Sequence, residues 1–177
     1  MSYSLIVGSF LLFLPAGLSN ASPVLAKHIP LLKQWDAPID GGITFRGKKL
    51  LGKNKTWRGL LFGTLIGGVS SMYILRFHIT VGANVPSQHF WFGCLLGFGA
   101  LFGDLIESFI KRQRNIAPGR TWFPFDQIDY IIAGLLISYP FIRLPIGTIL
   151  IIVMIYFLLH LIVAYCGYLL GLKERPI

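Results

Sequence analysis

The sequence predicts an all-α integral membrane protein with about five transmembrane helices, and three observations support this fold class. Of the 177 residues, 54% are hydrophobic and only 13% are charged. Long apolar runs recur along the chain, and basic residues gather in alternate segments between them. A helix rises about 1.5 Å per residue, so about 20 apolar residues cross a hydrocarbon core roughly 30 Å thick. We therefore expect residues 1–177 to form a single transmembrane domain.

Five apolar runs supply the predicted spans, and most of them have a distinguishing feature. The first has no basic residue before Lys27, which favours a retained helix over a cleaved signal peptide. The second contains Arg76 as its only charge, whereas the third carries Asp104 and Glu107 near its end. The fifth is the most hydrophobic. In order, the runs span residues 5–25, 60–77, 90–110, 128–144 and 146–172.

The distribution of basic residues predicts the orientation of these helices, because Lys and Arg concentrate on the cytoplasmic side. Fourteen of the 16 lie in or beside the first loop, the third loop and the C-terminal tail, and only Arg76 and Arg143 mark the other side. We expect an outside N-terminus, a cytoplasmic C-terminus, and cytoplasmic loops at about residues 28–58 and 111–126 that form the active site. The net charge of +9 then reflects topology and contact with membrane lipid, and it does not indicate nucleic acid binding.

The acidic residues are few, and all seven lie on the predicted cytoplasmic side. Carboxylates contribute little to orientation, so this placement needs another cause. Asp104 begins a polar stripe with the spacing i, i+3, i+4 and i+7, which puts its members on one helix face. The other members are Glu107, Ser108 and Lys111. An ionisable residue at this depth usually faces a cavity or a partner, which favours a functional role over a simple surface ion pair.

Asp126 and Asp129 follow Pro124 at the start of the fourth run. Helix capping explains this pair as well as a functional site does, because Asp at a helix start accepts N–H groups and suits the positive helix end. One cytoplasmic loop joins the third and fourth runs, however, so Asp104, Asp126 and Asp129 can converge. Hard oxygen donors beside many Lys and Arg residues suit Mg²⁺ bound together with a polyphosphate. We predict these three residues as metal ligands.

The segment of residues 40–59, which covers the second half of the first loop, combines glycine with basic residues. Glycine lets the backbone approach phosphates closely, and Lys and Arg neutralise them. Gly47, Gly52 and Lys53 have phosphate-loop spacing, but Asn54 replaces the required Ser or Thr and no strand is expected before them. The sequence therefore argues against a Walker-type loop and predicts a basic, glycine-rich cradle for a triphosphate.

The two polar segments resemble a known enzyme superfamily. Residues 103–112 read Gly-Asp-Leu-Ile-Glu-Ser-Phe-Ile-Lys-Arg and residues 124–129 read Pro-Phe-Asp-Gln-Ile-Asp, similar to the signature of CTP-dependent phosphatidate cytidylyltransferases. Within residues 40–59, the motifs Asp-Gly-Gly, Phe-Arg-Gly, Leu-Leu-Gly and Lys-Thr-Trp-Arg-Gly resemble those of the archaeal CDP-archaeol synthase family. The predicted number of five helices is similar to that family as well.

Three departures from the bacterial and eukaryotic signature favour the archaeal family over phosphatidate as substrate. Ala117-Pro118 stands where that signature has Lys-Asp, Gln127 stands where Arg is common, and no His-Gly-Gly element precedes Asp126. The resemblance implies transfer of the cytidylyl group of CTP to an archaeal lipid phosphate, 2,3-di-O-geranylgeranylglyceryl phosphate, with Mg²⁺ as cofactor. Such an acceptor is anionic at neutral pH, because the second pKa of a phosphate monoester is about 6. It needs no catalytic base, which agrees with the lack of a Ser-His-Asp pattern.

The resemblance also implies roles for individual residues. The implied catalytic residues are Asp104, Asp126, Asp129 and Lys111, and the three aspartates among them are the implied metal ligands. The implied nucleotide-binding or phosphate-binding residues are Asp40, Arg46, Gly52, Lys53, Lys55, Thr56, Ser108 and Arg112.

Three other functions compete with this interpretation. Phosphatidate could be the acceptor lipid in place of the ether lipid. A CDP-alcohol phosphotransferase requires Ala-Arg after its Asp-Gly, and none follows Asp40-Gly41. A small transporter would carry charges near the bilayer centre on several helices. Here the acidic residues gather at one predicted interface instead.

Overall fold

The computed structural model describes residues 2–77, 79–117 and 119–169, and this part of the chain is mostly helical. Lys173 and Arg175, which belong to the predicted cytoplasmic tail, and Pro118 lie outside the described residues. The helices are α1 (Tyr3–Ala26), α2 (Pro30–Lys33), α3 (Trp57–Ile74), α4 (His89–Gln113), α5 (Phe125–Ser138) and α6 (Ile146–Leu169). A short antiparallel sheet pairs β1 (Thr44–Phe45) with β2 (Lys48–Lys49).

Each of the five predicted apolar runs overlaps one helix. Helices α1, α4 and α6 are long and apolar enough to cross a membrane. The 18-residue α3 and the 14-residue α5 pack among them and are shorter. Helix α5 ends at Ser138, earlier than the sequence predicts, because Pro140 has no N–H group to donate to the helix. The predicted class of helical, multi-span membrane protein is confirmed.

Close contacts between α1, α3 and α4 depend on small side chains. A Cβ atom added at Gly67 of α3 would lie 2.5 Å from the Gly93 carbonyl oxygen of α4, and one added at Gly97 would clash with Ser19 of α1. Small residues let helix backbones approach closely in a membrane. The glycines of α3 and α4 therefore act in packing, which fixes α4 beside the start of α3.

Aromatic residues join α1, α5 and α6. The Tyr130 hydroxyl donates to the Tyr156 carbonyl at 3.0 Å, and the Tyr156 hydroxyl donates to the Phe10 carbonyl at 2.6 Å. Phe13 is fully buried and packs edge-on against Tyr156 with ring centroids 5.0 Å apart. These contacts hold α5 against α1 and α6, which positions the acidic first turns of α5.

The first loop contains a β-hairpin that the sequence analysis does not predict. Arg46 and Gly47 form its two-residue turn, with φ angles of 52° and 74°. Positive φ at both positions is typical of a type I′ turn, which matches the twist of the paired strands. Phe45 contacts Phe109 of α4 at a ring distance of 6.1 Å, and Lys48 donates to the Gln113 carbonyl at 2.5 Å. The hairpin is thereby anchored to the end of α4.

Candidate active site

Three carboxylates from two helices meet at one end of the bundle. Asp104 and Glu107 lie on one face of α4, and Asp129 lies near the start of α5. One oxygen atom from each lies within 4.8 Å of the others, a spacing at which the group could hold a metal ion. Gly103 makes this possible, because an added Cβ would clash with the Asp129 carbonyl oxygen. The donor set consists of hard oxygen atoms, which suit a divalent cation such as Mg²⁺.

Asp126 does not belong to this group of three, although the sequence analysis predicts it as a metal ligand. Its carboxylate accepts two hydrogen bonds from Lys111, at 2.9 and 3.1 Å, and one from the Trp122 N–H at 3.0 Å. These contacts do not match simple helix capping either, because the structure gives no hydrogen bond from an N–H group of α5 to this side chain. Glu107 is the third member of this close group. Its i, i+3 spacing from Asp104 was the sequence signal for its place beside Asp104.

Two lysines are paired with the carboxylates of the site. Lys55 Nζ lies 2.5 Å from Asp104 Oδ2. Lys111 Nζ lies 3.1 Å from Glu107 Oε1 and 2.9 Å from Asp126 Oδ2, so it links α4 to α5. When Asp129 is counted as well, the site contains four carboxylates and two lysines. Nearby like charges disfavour one another, so when all four carboxylates are ionised the site favours additional positive charge.

A basic cleft of about 80 Å³ lies beside the acidic group. It is lined by Leu51, Gly52, Lys53, Asn54, Lys55, Ser108, Lys111, Arg112 and Gly119. Arg112 is 9% exposed, and its side chain has no hydrogen bond or ion pair with any of the described residues. Burial of an unpaired charge is costly, so this guanidinium favours binding of an anion in the cleft.

A second, smaller cleft of about 50 Å³ adjoins the same acidic group from the side of α1 and α3. Its walls are mainly apolar and include Pro23, Leu60 and Leu101. Lys55 and Asp104 lie at its polar part, and Lys55 also lines the basic cleft. Lys55 therefore stands between a polar cleft and an apolar one.

Asp40 organises the first loop. Its Oδ1 accepts the Gly42 N–H at 3.0 Å, and its Oδ2 accepts the N–H groups of Leu51 and Gly52 at 2.8 and 3.1 Å. Burial opposes ionisation of this carboxyl group, but the three N–H donors outweigh it and hold its pKa below the usual value of 3.8. Both oxygens are thus engaged within the loop, and Asp40 holds the segment that carries Gly52 and Lys53.

The predicted binding residues fall into two sets. Those that line the basic cleft are Gly52, Lys53, Lys55, Ser108 and Arg112, together with Lys111. Arg46 lies in the hairpin turn with its guanidinium 5.3 Å from the centre of the Phe45 ring. Thr56 caps α3 by accepting the Gly59 N–H at 3.2 Å. Asp40, Arg46 and Thr56 therefore shape the loop around the cleft.

Arg58 is a structural residue of the site that the sequence analysis does not single out. It is 3% exposed, and it donates to the Leu32 and Lys33 carbonyls, both at 3.1 Å, and to Asp36 at 3.0 Å. Its position inside the Lys-Thr-Trp-Arg-Gly segment is the sequence feature that could have pointed to this role. The contacts fasten the segment after α1 to the start of α3.

A helical membrane bundle with a carboxylate group beside a basic cleft is the arrangement expected of a membrane-embedded enzyme that acts on phosphate compounds. The family described as "CarS-like: CDP-archaeol synthase" matches residues 2–177. The chain therefore belongs to the CDP-archaeol synthase family, and it is a nucleotidyltransferase of archaeal lipid biosynthesis.

Individual relatives agree with this membership. The CDP-archaeol synthase of Thermococcus kodakarensis is 38% identical over 177 residues, covering 98% of this chain and 97% of the relative. That of Pyrococcus furiosus is 35% identical, covering 97% and 98% of the two chains. A solved structure described as "Structural insight into an intramembrane enzyme for archaeal membrane lipids biosynthesis" matches with a TM-score of 0.75 and 28% identity, covering 89% of this chain and 93% of that chain. The family expected from the sequence is confirmed.

Proposed function

We propose that the chain transfers the cytidylyl group of CTP to 2,3-di-O-geranylgeranylglyceryl phosphate at the site formed by α4, α5 and the first loop. An oxygen of the lipid phosphate attacks the α-phosphorus of CTP and forms a new P–O–P linkage. The bond between the α- and β-phosphates breaks, and pyrophosphate leaves with the bonding electrons. The observation that carries this assignment is the position of Lys55, which borders the carboxylate group, the basic cleft and the apolar cleft.

The basic cleft is the proposed triphosphate site. The buried Arg112 offers a bidentate donor for phosphate oxygens, and Lys53 adds a point charge. Gly52, with a φ angle of 95°, lets the loop backbone turn towards the cleft in a conformation that other residues rarely adopt. These groups would hold the pyrophosphate leaving group and neutralise its charge as it develops.

Asp104, Glu107 and Asp129 are the proposed ligands of Mg²⁺. Their oxygens are hard donors, and the surplus of carboxylates over lysines favours a divalent cation. When bound, Mg²⁺ would supply charge neutralisation for the triphosphate and its transition state. Asp126 would then orient Lys111, which also contacts Glu107.

The apolar cleft is the proposed place for the glyceryl end of the acceptor lipid. Its walls come from α1, α3 and α4, whose outer faces would contact membrane lipid. The acceptor phosphate would meet Lys55 at the polar part of this cleft. A phosphate dianion attacks without a general base, so positioning and charge neutralisation supply the catalysis.

The test uses purified protein in detergent with CTP labelled on the α-phosphate. The geranylgeranyl ether phosphate and phosphatidate are supplied separately, and lipid-linked label is measured with and without chelator. We expect label on the ether lipid only in the presence of Mg²⁺. Preferential labelling of phosphatidate would reassign the acceptor, and transfer to neither lipid would contradict the proposal.

A further inference from the structure

We infer that Lys55 is an exchangeable internal counter-ion, which occupies Asp104 in the metal-free site and moves to substrate phosphate when a divalent cation binds. This inference rests on the proposed metal site. Lys55 then has opposite effects on the binding of the metal ion and on the binding of the nucleotide. It opposes metal binding in the absence of nucleotide, and it supports nucleotide binding once the metal is present.

The first step is the competition for one carboxylate. Lys55 Nζ lies 2.5 Å from Asp104 Oδ2, and Asp104 is one of the three residues whose oxygens lie within 4.8 Å of one another. An ammonium group at that distance occupies one of the two oxygens of a carboxylate that is proposed to bind the cation. It also repels a second positive charge placed among the same carboxylates. A divalent cation therefore has to displace Lys55 from Asp104.

The second step is the freedom of Lys55 to leave. The backbone of residue 55 is fixed, since its carbonyl accepts the Ile39 N–H at 2.9 Å and its N–H donates to the Gly52 carbonyl at 3.2 Å. The side chain is 21% exposed and borders both clefts. Lysine is a point charge on a flexible stem, so side-chain rotation alone can exchange its partner.

Lys55 is easier to displace from its carboxylate partner than Lys111 is. The Lys111 side chain is 9% exposed and lies between two carboxylates, Glu107 and Asp126, so its displacement would break two ion pairs in a buried place. Lys55 has one carboxylate partner among the described residues, and that partner is 33% exposed. The cost of exchange is therefore lower for Lys55, because breaking a buried pair is more costly than breaking an exposed one.

Substitution of Lys55 should therefore change metal affinity and CTP affinity in opposite directions. Removal of the Lys55 charge should tighten metal binding to the nucleotide-free protein, because no internal cation has to be displaced. The same change should weaken CTP binding to the metal-loaded protein, because a phosphate ligand is lost. A residue with a purely structural role would weaken both, and a residue with only a phosphate-binding role would leave metal affinity unchanged.

The experiment measures Mn²⁺ affinity of nucleotide-free protein by loss of the free Mn²⁺ EPR signal, and CTP affinity by calorimetry at saturating Mn²⁺. Lys55→Met is compared with the control variant Lys53→Met, which also removes one positive charge. Lys53 lines the same basic cleft as Lys55 but has no carboxylate partner among the described residues. We expect Lys55→Met to tighten Mn²⁺ binding roughly fivefold or more. Lys53→Met should leave Mn²⁺ affinity within about twofold, and both variants should bind CTP more weakly. Lys55→Gln replaces Lys55→Met if the methionine variant does not purify as a single folded species.

Two outcomes would overturn the inference, and they differ in their meaning. If the wild type binds Mn²⁺ but Lys55→Met binds it equally or more weakly, Lys55 is no counter-ion and the proposed metal site still stands. If no variant and no wild-type sample binds Mn²⁺ with or without CTP, the proposed metal site fails together with the inference.

Discussion

Lys111 connects the two acidic helices of the site. Its ammonium lies between Glu107 of α4 and Asp126 of α5 at 3.1 and 2.9 Å, and it is almost fully buried. In such a place the removal of one carboxylate leaves the charge of the lysine poorly compensated. Asp126 can therefore affect activity strongly without being a metal ligand. This distinction separates the roles of the two acidic residues that contact Lys111.

Substitution of each carboxylate with its amide should separate these roles. Glu107→Gln removes a proposed metal donor, so we expect loss of both Mn²⁺ binding and cytidylyl transfer. Asp126→Asn keeps an acceptor for the Trp122 N–H and removes the negative charge that pairs with Lys111. We expect Mn²⁺ binding to persist while activity falls roughly 10- to 100-fold, as is usual for residues that orient a ligand. Equal loss of Mn²⁺ binding in both variants would instead identify Asp126 as a ligand.

Substitution of Arg112 should weaken CTP binding without lowering the stability of the ligand-free protein. Its buried guanidinium has no partner among the described residues, so Arg112→Ala should not lower the melting temperature of the ligand-free protein. The same change should raise the KM for CTP roughly tenfold or more, because a hydrogen bond to a charged group contributes about 1.5–3 kcal/mol. Arg114→Ala is the control, since Arg114 stacks 5.2 Å from the Trp122 ring. Equal KM values for both variants would place the triphosphate elsewhere.

At the scale of elements, helix positions could be predicted from the sequence, whereas the loop architecture could not. Apolar runs locate α1, α3, α4 and α6 closely, because burial in lipid demands a continuous apolar stretch. The β-hairpin has strands of two residues each, too short to produce an alternating pattern. Its anchoring by Asp40 depends on long-range hydrogen bonds to Leu51 and Gly52. Such contacts leave no local signal.

The same limit explains why the sequence does not show which acidic side chains lie closest together, namely Asp104, Glu107 and Asp129. Spacing shows that Asp104 and Glu107 share a face of α4, and this part of the prediction agrees with the structure. Both Asp126 and Asp129 reach α4, but the rotation of α5 about its axis decides which of them lies beside Asp104 and which pairs with Lys111. Residues three apart on a helix differ by about 60° in direction, and only packing fixes the choice. The close approach at Gly103 sets that packing.

Gly103→Ala tests whether the spacing between α4 and α5 controls the site. An added Cβ would overlap the Asp129 carbonyl and the Ala133 side chain, so the helices would have to separate. Misplacement of a reacting group by about 1 Å can reduce the rate about 100-fold. We expect a comparable fall in kcat and weaker Mn²⁺ binding. Gly147→Ala on α6 is the matched control, because nothing lies within 4 Å of its added Cβ, and normal kcat for Gly103→Ala would contradict this role.

At the scale of the whole molecule, the charges divide the bundle into two ends. The site end carries the carboxylate group, the first loop, the end of α4 and the start of α5. The other end carries Arg76 after α3 and Arg143 after α5. Because CTP is a cytoplasmic nucleotide, the proposed reaction requires the site end to face the cytoplasm. The excess of basic residues near the site end gives the same orientation by the positive-inside rule.

Cysteine labelling tests this orientation with two matched positions. Cys94 and Cys166 are first replaced by alanine, and single cysteines are then introduced by Arg76→Cys and Arg114→Cys. Both arginines are exposed, and each lies over an aromatic ring at 5.2–5.5 Å, so the two sites have similar surroundings at opposite ends of the bundle. A membrane-impermeant maleimide applied to intact cells should label position 76 and leave position 114 unlabelled. Both positions should react after the membrane is permeabilised. The reverse pattern would place the site outside the cell, where CTP and Mg²⁺ could not be supplied from the cytoplasm, and would contradict the proposed topology.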